Sequence, residues 1–145
     1  LYTQIKQAHW NVKGMNFMSL HLLFDDFAAN FIRYSDRIAE RATALGGQAR
    51  GTARMVVATS RIDELPIDVT EGQDLVVSMA ERFAEYAASS RSAIEELEHW
   101  NDAVTADLFT EISREIDKGL WFLESHYQGE RPTHPSFHQE GLAIP

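Results

Sequence analysis

Residues 18–47, with the sequence MSLHLLFDDFAANFIRYSDRIAERATALGG, are predicted to form one long helix with two contact faces. Apolar residues recur in it at spacings of three and four, which is typical of a helix that packs against its neighbours. An advance of about 100° per residue places these positions in one narrow stripe. The stripe contains Leu20, Phe24, Phe27, Phe31, Tyr34, Ile38 and Ala42.

A second group of residues lies on the other side of this helix, roughly 150° from the apolar stripe. It contains the polar residues His21, Asp25, Asp36 and Glu40 together with the apolar residues Met18, Leu22, Ala28, Ala29 and Ile32. Because large apolar side chains accompany the charged ones, this side is predicted to be a contact surface that carries metal-ligand chemistry.

Composition restricts the class of protein. The chain has 145 residues, of which 44% are hydrophobic, and this suits one domain with a sizeable core. Its 4 prolines and 8 glycines favour an all-α fold. The absence of cysteine excludes disulfides, thiolate metal sites and cysteine nucleophiles, and it is consistent with a cytoplasmic protein.

Charge and hydropathy restrict the partners. The net charge of −9 disfavours direct binding to nucleic acid or to an anionic membrane. No apolar run approaches the roughly 20 residues of a membrane span. The helical pattern is already under way at Leu1, so we expect that an N-terminal part of the first helix precedes this residue.

The first two helices are predicted from their ends. Residues 1–12 have helical spacing and are followed by Lys13 and Gly14, a cation and a glycine of the kind that ends helices. Asn16 is in place to cap the second helix, which should run to about Leu45. Because the link is short, the two helices are expected to be antiparallel neighbours.

The connection over residues 48–69 is much longer than most connections in compact domains. A short helix is expected within it, at residues 53–62. A connection of this length can return along the whole second helix, about 40 Å for about 27 residues. The third helix should therefore run parallel to the second.

Two further caps predict the last two helices. The T-x-x-Q pattern of Thr70–Gln73 predicts a capping box at the start of the third helix, which should end near His99. Asn101 and Asp102 supply the next cap, for a fourth helix that should end near His126.

Two hairpins joined by a long crossover predict a ferritin-like four-helix bundle over residues 1–127. Residues 128–145 contain three prolines and no periodicity, which predicts an extended C-terminal tail. The sequence contains no internal repeat and no low-complexity segment.

Five side chains form the strongest candidate site. A single His/Asp pair at i,i+4 is more often solvated than functional, but here the pairs His21/Asp25 and Asp36/Glu40 share one side of one helix. His9, on the preceding helix, adds a second imidazole. Two imidazoles and three carboxylates suit Fe(II), Mn(II) or Zn(II), and the residue types alone do not choose among these metals.

The sequence gives less support for other kinds of functional site. A phosphate-binding glycine loop is excluded because no Gly-Lys-Ser/Thr follows Gly46 and Gly47, and no serine lies in a nucleophile-elbow pattern. The remaining histidines are predicted to be surface groups: His99, His126, His134 and His138. The alternative for the last two, spaced at i,i+4, is incidental metal binding.

The spacing of the carboxylates predicts that the site is shared between two chains. Asp25 and Asp36 are 11 residues apart, about 16 Å along the helix axis, whereas metal–ligand bonds are about 2 Å. A two-fold axis near residues 30–32 would set two copies of the helix antiparallel and bring Asp25 of one beside Asp36 and Glu40 of the other. Each dimer would then hold two equivalent sites.

Three segments of the chain resemble one protein family. Residues 9–25, HWNVKGMNFMSLHLLFD, resemble the first signature of the Dps family, the mini-ferritins known as DNA-binding proteins from starved cells. Residues 36–41, DRIAER, with the Leu-Gly-Gly of residues 45–47, resemble the second signature, and residues 117–124, DKGLWFLE, resemble the last helix. The resemblance therefore covers residues 1 to about 127.

The resemblance implies a function and a set of ligands. Members of this family form dodecamers built from two-fold dimers, oxidise Fe(II) preferentially with hydrogen peroxide and otherwise with dioxygen, and store ferric iron, which protects against oxidative stress. Their ligands for two irons per inter-subunit site match His9, His21, Asp25, Asp36 and Glu40, with zinc or manganese as substitutes. Trp10, beside His9, is a candidate for donating an electron or for shielding the site. The alternative for Trp10 is a packing aromatic at a helix contact.

The resemblance also points to acidic residues outside the iron-oxidising site. In related proteins acidic residues near the start of the fourth helix line the pores by which iron enters, which here indicates Asp107, with Asp102 and Glu111 as further candidates. Asp26 is a candidate for nucleating mineral in the cavity. Each of these acids has a simpler alternative, a solvated position on a helix surface.

Two alternative functions remain open at the level of sequence. The first is a DNA-compacting, nucleoid-associated stress protein whose metal site is secondary, with DNA bound through a basic arm in the N-terminal segment. The second is a relative occupied by zinc or manganese that has weak oxidase activity.

Overall fold

The computed structural model describes residues 1–128, which contain five helices and no strand. The helices are α1 (Tyr2–Asn11), α2 (Phe17–Ala44), α3 (Ala53–Thr59), α4 (Gly72–His99) and α5 (Ala103–Gln128). The tail predicted for residues 128–145, including the pair His134 and His138, lies outside the described residues except for Gln128, which ends α5. Along the described part of the chain, no helix has both the length and the apolar character that a membrane span requires.

Helices α2 and α4 run parallel, as the long crossover predicts. Leu20 near the start of α2 lies against Gly72 at the start of α4. Further along both helices, the ring of Phe27 meets that of Phe83 with centroids 4.9 Å apart, and Phe31 meets Tyr86 at 5.3 Å. Residue numbers therefore rise together along the two helices.

Helices α2 and α5 run antiparallel. Arg41, near the end of α2, contacts Asp102 just before α5 begins, with an N–O distance of 2.9 Å. Arg37, one turn earlier in α2, donates to Glu111 further along α5 at 2.8 Å. Two antiparallel hairpins, α1–α2 and α4–α5, are thus joined by the crossover that contains α3, and the predicted ferritin-like bundle is confirmed.

The core contains the apolar stripe of α2, with one correction to the assignment of faces. Phe24, Phe27 and Phe31 are buried against α4 and α5, and Ile38 at the end of the stripe is half-buried. Ala28, predicted to lie on the opposite face, is only 2% exposed and belongs to the core. It follows Phe24 by one turn and therefore lies at the edge of the buried stripe.

The capping box predicted at Thr70 is wrong, because the N-cap and the first helical residue of α4 each lie one residue later than that box requires. Glu71 is the N-cap, and its carboxylate accepts a hydrogen bond from the Gly72 N–H at 3.2 Å. The Lys13 N–H donates to the Thr70 carbonyl at 2.9 Å, and the Gly72 N–H lies 3.2 Å from the Lys13 carbonyl. This pairing with the α1–α2 link holds the backbone extended at Glu71, so that the helix cannot start at Thr70.

Of the other two predicted N-caps, one makes a capping hydrogen bond and one does not. Asn16 occupies the N-cap position of α2, but its side chain makes no capping hydrogen bond to the helix. Its carbonyl instead accepts from the Ser19 hydroxyl at 2.9 Å. Asp102 does cap α5, because its carboxylate accepts from the Thr105 N–H at 3.1 Å.

Candidate metal centre

His9 and His21 form a crossed pair where α1 and α2 lie side by side. Nδ1 of His9 donates to the His21 carbonyl at 2.7 Å, and Nδ1 of His21 donates to the His9 carbonyl at 2.9 Å. The rings stack with centroids 3.8 Å apart. Because a carbonyl oxygen can only accept, both Nδ1 atoms carry the proton, and in the neutral rings both Nε2 atoms keep the lone pair that binds a metal.

The link between α1 and α2 produces this pairing. Gly14 has a φ of +95°, a backbone conformation that residues with a side chain rarely adopt, and it allows the chain to reverse direction within a few residues. The reversal places the last turn of α1 beside the first turns of α2. The ring of Phe17 then lies 5.2 Å from that of His21 and covers one side of the pair.

Asp25 follows one turn after His21 and lies beside the pair. Its Oδ1 atom is 3.9 Å from Nε2 of His9 and 2.7 Å from Nζ of Lys6. The hydrogen bond from Lys6 is the main reason why the pKa of the Asp25 carboxyl is lowered, and the two imidazoles lower it further. An ionised carboxylate beside two imidazoles is a ligand set that suits a divalent transition metal.

Asp36 and Glu40 are exposed further along α2, on the side of the helix that carries His21 and Asp25. The spacing from Asp25 to Asp36 along a continuous helix is about 16 Å. Within residues 1–128, no three His, Cys, Asp or Glu side chains lie close enough together to hold a metal ion. The structure thus brings His9, His21 and Asp25 near one another but leaves the other two carboxylates apart, so the set of five stays a prediction.

Large apolar side chains accompany the ligands on this side of α2. Met18, Leu22 and Ile32 of α2 are 61%, 56% and 50% exposed. Exposed apolar side chains of this size on one side of a helix favour a protein–protein contact.

Comparison with known proteins identifies the family. The ferritin-like domain matches residues 1–131 of the chain. The DNA protection during starvation protein of Agrobacterium fabrum is 42% identical over 123 residues, which are 85% of this chain and 76% of that protein. The chain belongs to the Dps family of ferritin-like proteins.

Two further Dps relatives support this assignment. DNA protection during starvation protein 1 of Deinococcus radiodurans is 29% identical over 131 residues, which are 90% of this chain but 63% of that longer protein. The crystal structure of Dps from Staphylococcus aureus superposes with a TM-score of 0.82 at 30% identity, and the match covers 86% of this chain and 83% of that one. The Dps fold is therefore shared over nearly the whole described bundle.

Trp10 is 69% exposed in this Dps chain. Its only ring contact among the described residues is with the ammonium of Lys6, which lies 5.8 Å from the ring centroid. Trp10 therefore does not pack inside its own subunit, and its role at the site stays a prediction.

The three acids proposed for an iron pathway differ in their surroundings. Asp102 accepts hydrogen bonds from Thr105 and from Arg41. The bonds from Thr105 are the main cause of the lowered pKa of its carboxyl, and the bond from Arg41 lowers this pKa further. Arg37 likewise lowers the pKa of the Glu111 carboxyl through a two-pronged contact. Asp107 is exposed on the second turn of α5. Of the three, Asp107 is the acid best placed to meet an ion from solvent.

The remaining predicted residues lie at the surface. His99 and His126 are exposed, as expected. Asp26 lines a groove of about 630 Å³ between α2 and α5, together with Arg33, Glu115 and Lys118. The groove thus carries charges of both signs, and the proposed role of Asp26 in mineral formation is untested.

One residue of the site was missed in the sequence. Lys6 precedes His9 by three residues, which is the spacing that places two side chains on one face of a helix. This spacing was the only sequence feature that placed Lys6 near His9. Single lysines are common on helices, so only the contact with Asp25 shows that Lys6 lies at the site.

Proposed function

We propose that this chain oxidises Fe(II), with hydrogen peroxide or dioxygen as the oxidant, and stores the ferric product inside a dodecameric shell. The observation that supports this best is the crossed His9–His21 pair, in which both Nδ1 atoms are bonded to carbonyls and Nε2 of His9 lies 3.9 Å from Oδ1 of Asp25. Iron is both substrate and cargo in this proposal. Zinc and manganese would compete for the same ligands.

The complete site would need a second subunit. If two copies of α2 pack antiparallel across a two-fold axis near residues 30–32, Asp36 and Glu40 of one copy approach Asp25 of the other. The same contact would cover the exposed side chains of Leu22 and Ile32. A two-fold dimer would therefore complete the ligand set and bury the apolar surface between its two halves.

The proposed ligands suit the chemistry. Imidazoles hold the incoming ferrous ion, and carboxylates stabilise the ferric product, because hard anionic oxygen ligands favour the higher charge. Two Fe(II) ions supply the two electrons that, with two protons, reduce one hydrogen peroxide to two waters. A paired reaction of this kind avoids release of hydroxyl radical. It would protect DNA and other cytoplasmic components without contact with them.

DNA compaction is the second candidate, and the name of the relatives, DNA protection during starvation protein, favours it. The crossover also exposes three arginines, Arg50, Arg54 and Arg61. Against this, the chain carries a net charge of −9, whereas DNA binding needs neutralisation of phosphates. Contact with DNA would therefore depend on a basic N-terminal segment, and we rank it second.

The decisive experiment measures the initial rate of Fe(II) oxidation by peroxide at low iron loading, by stopped-flow absorbance. Glu40→Gln keeps the side-chain volume but removes a ligand charge, and we expect the rate to fall at least about tenfold. Glu95→Gln, on the exposed surface of α4, is the matched control and should leave the rate unchanged. Light scattering of both variants verifies assembly. A Glu40→Gln protein that oxidises iron at the wild-type rate would disprove the ligand assignment.

A further inference from the structure

Arg82 of α4 is a buried cation that has no carboxylate partner within residues 1–128. It is only 8% exposed, and its guanidinium donates hydrogen bonds to three oxygens of different segments. Nε donates to the side-chain oxygen of Gln4 at 2.8 Å, Nη2 to the Glu64 carbonyl at 2.6 Å and Nη1 to the Ser78 carbonyl at 2.8 Å. These bonds join α1, the crossover and α4.

The retention of a charge at this buried position indicates a geometric role. A charge taken out of water costs free energy unless hydrogen bonds satisfy it. A well-packed apolar side chain would fill the same space without that cost. It would not supply the planar fork of N–H groups, which fixes the directions of several acceptors at once. Arg82 therefore holds three segments in one defined arrangement.

Arg82 and the crossover contact one side of α1, and His9 lies on the other. Gln4 and His9 are five residues apart, which places them about 140° apart around the helix. On the Gln4 side, α1 also bonds to the crossover, where Nε2 of Gln7 donates to the Leu65 carbonyl at 3.0 Å. On the His9 side, α1 bonds to α2 through the crossed imidazole pair. The position of α1 relative to α2 therefore depends on both sets of contacts.

We propose that Arg82 is a positioning residue for the metal half-site formed by His9, His21 and Asp25. This inference rests on the proposed iron site. The hydrogen bond to Gln4 fixes α1 against α4, and the fixed helix places Nε2 of His9 beside Asp25. Because metal–ligand bonds are about 2 Å long, a small shift of α1 takes one ligand out of reach. Arg82 thus contributes to metal affinity without contact with the metal.

Apolar contacts keep α1 in the bundle when Arg82 is replaced. Helix α1 buries Ile5 and Ala8 completely, and the crossover buries Leu65. The hydrophobic effect is non-directional, whereas a satisfied polar network specifies a unique arrangement. Replacement of Arg82 should therefore leave the subunit folded but make the position of His9 less precise.

The test measures Co(II) binding without oxidant, by isothermal titration calorimetry and by the visible absorption of the bound ion. We expect Arg82→Leu to raise the Kd for Co(II) about tenfold and to alter the visible bands at saturation, because one imidazole is no longer held in place. Ile116→Val removes a buried methyl group from α5, which takes no part in the Arg82 hydrogen bonds. This control for lost stability should keep the wild-type Kd and bands. Wild-type affinity and bands in folded Arg82→Leu overturn the inference.

A double-mutant cycle with Gln4→Met tests the route. Gln4→Met removes the acceptor on α1 but leaves Arg82 its two bonds to backbone carbonyls, so it should fold even if Arg82→Leu does not. It should raise the Kd by a similar factor, and the double variant should bind no more weakly than the weaker single variant. A wild-type Kd for Gln4→Met, or fully additive effects, would show that Arg82 does not act through Gln4, and the inference would be wrong.

The same titrations separate this inference from the proposed function. If His9→Ala does not weaken Co(II) binding, the proposed iron site fails, and the role of Arg82 fails with it. If binding depends on His9 but not on Arg82 or Gln4, only the role of Arg82 is disproved.

Discussion

His9 and His21 position each other through backbone atoms. Each Nδ1 donates to the carbonyl of the other residue, at 2.7 and 2.9 Å, so neither ring depends on the other's side chain for its hydrogen bond. The same two bonds tie the last turn of α1 to the first turns of α2. The two hydrogen bonds that join α1 to α2 therefore also orient the two imidazoles that are proposed as metal ligands.

We predict that His9→Ala leaves the His21 ring in place. The acceptor of the His21 Nδ1–H is the carbonyl of residue 9, which survives the substitution. The Nδ1–H resonance of His21 should therefore remain observable by NMR. Affinity for Co(II) should still fall at least about tenfold, because one of the imidazole ligands is lost. Loss of the His21 resonance in a folded His9→Ala protein would contradict this reading of the pair.

We predict that Gly119→Ala destabilises the subunit. A Cβ at this buried position of α5 would lie 2.9 Å from a ring carbon of Phe83 and 3.3 Å from one of Phe27. Alanine gains about 1 kcal/mol in helix propensity, but overpacking of a core costs about 1–3 kcal/mol. The net loss should lower the free energy of unfolding, measured by urea denaturation. Gly51→Ala is the control, because a Cβ at Gly51 would have no neighbouring atom within 4 Å. It should change the free energy of unfolding by less than about 0.5 kcal/mol.

Much of the fold follows from patterns within single helices. The buried stripe of α2 was visible because Leu20, Phe24 and Phe31 repeat with helical spacing over many turns. The length of the crossover was enough to predict that α2 and α4 run parallel. The Asp102 cap was also predictable, because an N-cap bonds to a backbone N–H only three residues away.

The errors arise where a distant segment decides the local structure. The start of α4 moved from Thr70 because Lys13, far earlier in the chain, bonds to the backbone there. Ala28 lies between the two faces of α2, and its spacing alone does not show whether the neighbouring helices bury it. Lys6 escaped notice because its partner, Asp25, is 19 residues away on another helix. Such contacts leave no local pattern.

We predict that Asp102 stabilises the subunit in a pH-dependent way. Hydrogen bonds from Thr105, and then from Arg41, lower the pKa of its carboxyl below the ordinary value. A lowered folded-state pKa gives stabilisation that is fully present above the unfolded value, about 3.9, and is lost as the pH falls through the folded value.

Asp102→Asn keeps the cap but removes the charge. Its Tm should be about 2–4 °C below wild type at pH 7, and the difference should shrink below about pH 4. Asp107→Asn, which changes an exposed aspartate on the second turn of α5, is the matched control. A Tm difference for Asp102→Asn that is constant from pH 7 to pH 3 would exclude the charge as the cause.

We predict that these 145 residues do not shift duplex DNA in a mobility assay at physiological salt. The net charge of −9 repels phosphates, and the basic residues of the crossover are few. A shift that weakens with added salt would contradict this expectation. The triple variant with Gln in place of Arg50, Arg54 and Arg61 would then test whether the crossover is the binding surface.

Complementation between two inactive subunits gives the sharpest test of the shared site. One variant carries His21→Ala and Asp25→Ala, and the other carries Asp36→Ala and Glu40→Ala. In a two-fold dimer of each variant alone, both sites lack ligands. In a mixed dimer, one site lacks all four substituted ligands, whereas the other keeps the complete set.

We therefore expect each variant alone to lose rapid Fe(II) oxidation and the co-assembled mixture to regain part of it. Random pairing of equal amounts makes half of the dimers mixed, and each mixed dimer has one intact site of two. The recovered rate should thus approach about one quarter of wild type. Differently tagged subunits, purified through both tags, establish that mixing took place. Doubly tagged assemblies without activity would place the site within a single chain, where the roughly 16 Å between Asp25 and Asp36 along α2 would have to be bridged in another way.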